Sequence, residues 1–146
     1  MTVNILNKKT ISFNFFSYIK SLLLLMKPRV MSLVIFTSAV GLLTAPSVVS
    51  FKDSIIGIFF VAMGAGAAGA LNMWYEADLD KLMTRTCLRP IPTGKVNRSH
   101  ALIFGILLSI ISVYGLYYFT NTISAILLLS TISFYLFVYT IWLKRL

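Results

Sequence analysis

Six side chains in one short stretch carry the chemistry that this sequence could perform. From Asn72 to Pro92 the chain reads NMWYEADLDKLMTRTCLRPIP, and it holds three of the chain's four acidic residues, Glu76, Asp78 and Asp80. Arg85 and Arg89 follow at once. Carboxylates set this close repel one another unless something neutralises them, and a hard divalent cation does that well. Mg²⁺ takes oxygen ligands, uses one or two carboxylates, keeps several waters and completes its shell with substrate phosphates. A guanidinium grips phosphate oxygens in a bidentate fork. Acids for a cation beside arginines for phosphate therefore suit a diphosphate. A plainer account stands beside this one: Asp78 and Lys81 as a solvated ion pair, with Arg85 and Arg89 as charges that only set topology. Acidic residues contribute little to topology, so the plainer account leaves the acids without a purpose.

The spacing says what must position them. Asn72, Glu76 and Asp80 recur at every fourth residue. On a continuing helix they form a ladder on one face, rising about 6 Å per step. Asp78 then points roughly 160° away from Asp80, and on the same wheel Arg85 and Arg89 fall within about 20° of Asp78. Pro90 and Pro92 predict a helix break before the wheel reaches that far.

The chain around this stretch is built for a bilayer. Of its 146 residues 58% are hydrophobic and 12% are charged, about half the charged share of a soluble domain. Val30 to Phe51 and Ser54 to Tyr75 are each 22 residues without a formal charge, and Ser99 to Leu143 is 45. A spanning helix needs about 20 apolar residues. The expectation is an all-α, polytopic transmembrane helical bundle with four spans, about 30–51, 54–75, 100–119 and 123–143, the last two turning near Thr120–Thr122. Residues 1–29 would form an inner-side segment, with Phe15 to Met26 lying along the interface, and 76–99 an inner-side catalytic loop.

The net charge of +9 follows from topology. Lys8, Lys9, Lys20, Lys27 and Arg29 precede the first span, Lys81, Arg85, Arg89, Lys95 and Arg98 lie in the second connection, and Lys144 and Arg145 close the chain. With both termini inside, Lys52 alone is outside, as the positive-inside rule expects. Nucleic acid is not needed to explain the basicity. The single Cys87 cannot form an intramolecular disulfide, and the first twenty residues lack a cleavable secretory pattern.

Several motifs are decoys. Gly64 to Gly69 matches G-x-G-x-x-G, which has meaning only at a strand-to-helix turn; inside an uncharged span it reads as small residues that let helices approach closely. Asn97-Arg98-Ser99 is a glycosylation sequon on the side away from the glycosylation machinery. His100, the one histidine, reads as an interfacial or capping residue, and Trp74 and Tyr75 as an aromatic belt. No nucleophile–base pair supports a hydrolase triad.

N-x-x-x-E-x-D-x-D-x-x-M-x-R-T-x-x-R-P, from Asn72 to Pro90, resembles the first aspartate-rich signature of the intramembrane prenyltransferases of the UbiA superfamily. Within it the chain is most similar to the heme-farnesylating branch, through Asp78, the Met83-Thr84-Arg85-Thr86 run and Lys27-Pro28-Arg29. Glu76 stands where the family usually has Asp. The resemblance extends from about Lys27 to the end. It implies Mg²⁺ held by Asn72, Glu76 and Asp80, and a diphosphate site made of these with Asp78, Arg85 and Arg89, in which Asp78 serves a second ligand or pairs with Arg85. The substrates implied are farnesyl diphosphate and heme B, whose vinyl group would take the farnesyl chain to give heme O. Lys27 and Arg29 are candidates for a heme propionate or for lipid phosphate. The membrane implied is a bacterial inner membrane, with the mitochondrial inner membrane second.

Family members have about nine helices of roughly 20 residues each, with a second aspartate-rich loop that Asp53, the one remaining acid, does not supply. The chain thus resembles an N-terminal half, with a complementing C-terminal half as an expected partner and little activity expected alone. A prenyltransferase for an aromatic quinone precursor, or a non-catalytic membrane subunit, are the other readings. A CDP-alcohol phosphotransferase is disfavoured because Asp78-Leu79-Asp80-Lys81 lacks the D-x-x-D-G opening.

Overall fold

A computed structural model describes residues 14–46 and 49–143. The expected topology charges Lys8, Lys9, Lys144 and Arg145 lie outside these. Within them the chain is all-α: α1 Phe15–Leu25, α2 Pro28–Thr44, α3 Phe51–Leu82, α4 Arg98–Phe119 and α5 Thr122–Phe134, which runs on into a π-helix, Tyr135–Trp142. Three helical stretches are long and apolar enough to cross a membrane: α3, α4 and α5 with its π-helical extension, Thr122–Trp142. The pair α1–α2, bent by 55°, makes a fourth if it counts as one span. This is an integral membrane protein with a partial helical bundle.

Two boundaries differ from those read off the charges, for physical reasons. The first expected span, 30–51, is instead a broken helix that ends at Thr44 and reaches back to Phe15. The break lies at Lys27, the one described non-glycine residue with positive φ (φ 53°, ψ 72°). Pro28 causes it: proline cannot donate to the preceding turn, disfavours α geometry in the residue before it, and suits the first position of a new helix. The second difference is α3, which passes the expected exit at Tyr75 and ends at Leu82. Thirty-two residues give about 48 Å, longer than the roughly 30 Å hydrocarbon core. Glu76, Asp78 and Asp80 are therefore on a helix, and the true connection is residues 83–97.

Small residues let α3 sit at the centre. Ala62, Gly64, Gly66, Ala67, Ala68, Gly69 and Ala70 are all buried. A methyl group added at Gly66 would lie 2.5 Å from Met26 Cε, and one at Gly69 would lie 3.3 Å from the Met26 carbonyl oxygen. The G-x-G-x-x-G match is thus a packing surface, and what it receives is the α1–α2 break. Leu25, Ala70, Met73, Ala77, Ile91, Val96 and Ala101 form one buried cluster, so the 83–97 connection is folded onto α3. Val96 N–H bonds the Pro90 carbonyl at 3.1 Å, and Gly94 supplies a left-handed turn (φ 75°). Asn97 and Asn121 cap α4 and α5, accepting from Ser99 and Ser124 N–H at 3.3 and 2.7 Å. His100 is bonded instead to the Tyr18 hydroxyl, 2.8 Å from its Nδ1.

Candidate functional site

The buried face of α3 brings Asn72, Glu76 and Asp80 into line, at 0%, 4% and 3% exposure. Two ionisable acids this deeply buried need partners, since an uncompensated charge in an apolar setting is very costly. Arg89 provides the first. Its Nη1 donates to both oxygens of Asp80, at 2.9 and 2.8 Å, and lies 4.0 Å from Glu76 Oε2. The extrapolated wheel put Arg89 near Asp78; the chain reverses after Leu82 and returns it to Asp80. Thr86, also buried, holds that reversal by donating to the Asp80 carbonyl at 3.2 Å.

Asn72 is the second junction. Its Nδ2 donates to Glu76 Oε1 at 2.9 Å and to Thr140 Oγ1 at 3.1 Å. Its Oδ1 accepts from the Lys27 ammonium. The network decides which way the carboxamide points. Turned over, it would set its NH₂ against an ammonium and its oxygen against a carboxylate. The expectation that Asn72 offers its oxygen to a metal therefore meets a difference: that oxygen faces Lys27. The α1–α2 break, packed on Gly66 and Gly69, is what delivers Lys27 here.

Asp78 is not part of this arrangement. It lies on the opposite face, its side chain 71% exposed, and pairs with Arg98 Nη1 at 2.9 Å. Neither Lys81 nor Arg85 is its partner in that pair. Arg98 also lies over the Trp74 ring, 5.8 Å from its centroid. Arg85 is exposed, yet it lines the same pocket as Glu76, Asp80, Thr86 and Arg89, a cleft of about 240 Å³. Arg29 is exposed on the first turn of α2 and makes no ion pair among the described residues. Lys27 also lines an apolar slot of about 210 Å³ that runs between α2, α3 and α5, past Val34, Ala68 and Leu128 to Tyr135.

For Mg²⁺ the donor chemistry fits. Glu76 and Asp80 are two all-oxygen ligands one turn apart, and Mg²⁺ ordinarily takes one or two carboxylates plus phosphate oxygens and water. No group of three His, Cys, Asp or Glu is arranged to hold a metal among the described residues, so a closed all-protein cage is not what this site offers.

Thr86, Arg98 and Thr140 were not singled out by their types and spacing. Thr86 sits inside the acidic–arginine motif, which is the one signal for it. Arg98 looked like a topology charge. Thr140 lies 68 positions from Asn72 in an uncharged span, where a threonine ordinarily bonds its own backbone.

The comparisons with known proteins point the same way. The profile of the UbiA prenyltransferase family matches residues 33–146. A protoheme IX farnesyltransferase of Pelagibacter ubique (strain HTCC1062) is 72% identical over 133 residues, covering 91% of this chain and 43% of that protein. Protoheme IX farnesyltransferases of Bartonella bacilliformis and Orientia tsutsugamushi (strain Ikeda) are 55% and 54% identical, covering 83% and 86% of this chain and 39% and 40% of theirs. The chain thus spans about two fifths of the length of these curated relatives. No solved structure matches it. With its profile matched from residue 33 to the end, this chain belongs to the UbiA prenyltransferase family.

Proposed function

We propose that this chain carries the diphosphate-activating half of a heme-farnesylating site in a bacterial inner membrane. The observation that carries the reading is the buried Glu76–Asp80 pair, one helical turn apart and closed by Arg89. The names of its relatives supply protoheme IX, heme B, as acceptor and farnesyl as the group transferred; the buried acids and arginines suit a diphosphate as the leaving group, which makes farnesyl diphosphate the donor.

Departure of an allylic diphosphate builds negative charge on the leaving group and positive charge on the allyl carbon. Arg89 and Arg85 line one cleft with both acids, so they grip the phosphate oxygens there as charge-assisted donors. Mg²⁺, held by Glu76 and Asp80, would add charge stabilisation on the same oxygens. Lys27 lines the apolar slot and is joined to Glu76 in the cleft through Asn72, so its ammonium meets the diphosphate end of a substrate whose tail lies among Val34, Ala68 and Leu128. Those apolar walls exclude water from the allyl cation. Asn72 orients Lys27 and Glu76. Asp78 and Arg98, on the far face, tie the start of α4 to α3.

The test is a chimera in which residues 27–146 replace the matching segment of the Pelagibacter ubique relative. Membranes carrying it receive farnesyl diphosphate with either heme B or an aromatic quinone precursor. A farnesylated heme supports the reading; a prenylated aromatic product, or no prenylated product at all, overturns it.

A further inference from the structure

The π-helix at Tyr135–Trp142 is the one segment of non-α helical winding in the apolar spans described, and the site already outlined does not use it. Its consequence is local. Thr140 Oγ1 donates to the carbonyl of Tyr135, five residues back, at 3.0 Å. In an α-helix a threonine bonds back three or four residues. The wider winding carries Thr140 round to α3, where its hydroxyl, 1% exposed, accepts from Asn72 Nδ2 at 3.1 Å. The hydroxyl proton is committed to Tyr135, so toward Asn72 this oxygen can only accept.

We propose that Thr140 is a positioning residue: it fixes the Asn72 carboxamide with its NH₂ toward Glu76 and its oxygen toward Lys27. Glu76 accepts one of the two amide protons and Thr140 accepts the other. Without Thr140 the second proton is unsatisfied at a fully buried position, which loosens the carboxamide and weakens its bonds to Glu76 and Lys27. The effect on diphosphate binding rests on the function proposed above; the fixing of Asn72 does not.

The experiment uses the whole 146-residue chain in lipid nanodiscs, with two readouts. Hydrogen exchange of the Asn72 side-chain NH₂, followed by NMR and assigned with Asn72→Ala, reports the amide directly. Expected is exchange at least about tenfold slower than at Asn97 in the wild type and in Thr140→Ser, and about tenfold faster than wild type in Thr140→Val. The second readout is Mg²⁺-dependent binding of inorganic diphosphate. Thr140→Val weakens it by about tenfold and Thr140→Ser by less than about twofold, while in an Asn72→Ala background Thr140→Val adds nothing.

Four results overturn the proposal: exchange as fast as at Asn97 in the wild type, the same in Thr140→Ser, exchange unchanged by Thr140→Val, or a Thr140→Val binding loss that persists in full without Asn72. If Thr140→Val does not fold, the wild type and Thr140→Ser still decide, because fast exchange in either contradicts it. The expected exchange pattern with no diphosphate binding in any chain supports the positioning of Asn72 and sinks the diphosphate reading instead.

Discussion

Glu76 and Asp80 on one side of α3, and Asp78 on the other, are the same chemistry within five residues of one helix, yet they end in opposite situations. The first two are almost fully buried and share Arg89. Asp78 is mostly in solvent and pairs with Arg98, itself 44% exposed. Exposed pairs of this kind are worth roughly 0–1 kcal/mol, because water and salt screen them. Buried carboxylates exact a desolvation cost of several kcal/mol per ion, which only close partners offset. A fold keeps such a cost where the charge has a use. The difference teaches that helix face, rather than membership of an acidic cluster, separates the diphosphate side of this stretch from the side that meets the start of α4.

The contrast can be broken in graded steps. The largest effect is expected from Asp80→Ala, which removes a ligand and strands Arg89. Mg²⁺-dependent farnesyl diphosphate binding should fall by on the order of a thousandfold in calorimetric titration, the scale for truncating one member of a buried charge pair. Arg89→Ala comes next: it takes from Asp80 the guanidinium that bonds both its oxygens and should cost about 3 kcal/mol of stability in a detergent unfolding assay. Gly66→Val acts at a distance, since the added carbons meet Met26 and push on the Lys27 break. A stability loss of about 1–3 kcal/mol, with weaker diphosphate binding rescued by Met26→Ala, is the expected outcome. Smallest is Asp78→Asn, which should change stability by less than about 0.5 kcal/mol and leave diphosphate binding within about twofold. A large binding loss from Asp78→Asn would erase the distinction between the faces.

How far the sequence could be read follows the same division. The ladder of Asn72, Glu76 and Asp80 was legible because it needs only helical periodicity, and the all-α bundle because it needs only the length of uncharged runs. Boundaries drawn at charges missed two things. A helix ends where its hydrogen bonds end, so α3 carries its acids past Tyr75. Pro28 starts a helix before the charge on Arg29 allows a span to begin. Arg89's return to Asp80 depends on how 83–97 packs through Ile91 and Val96, and no periodicity extrapolates across Pro90. Thr140 was invisible because a change of helical winding, not a residue pattern, turns it toward Asn72. Types and spacing offer Lys27 only a propionate or lipid phosphate; its place beside Asn72 comes from its left-handed conformation at the α1–α2 break and the glycines that make room for that break.

The central claim is that the buried face of α3 is a Mg²⁺-dependent diphosphate site. The most direct measurement is calorimetric titration of farnesyl diphosphate into the chain in lipid nanodiscs, with and without Mg²⁺, for the wild type, Asp80→Asn and Asp78→Asn. Binding that requires Mg²⁺, is lost in Asp80→Asn and survives in Asp78→Asn is the result the account predicts. Binding that ignores both Mg²⁺ and Asp80, or that depends on Asp78 as strongly as on Asp80, would contradict it.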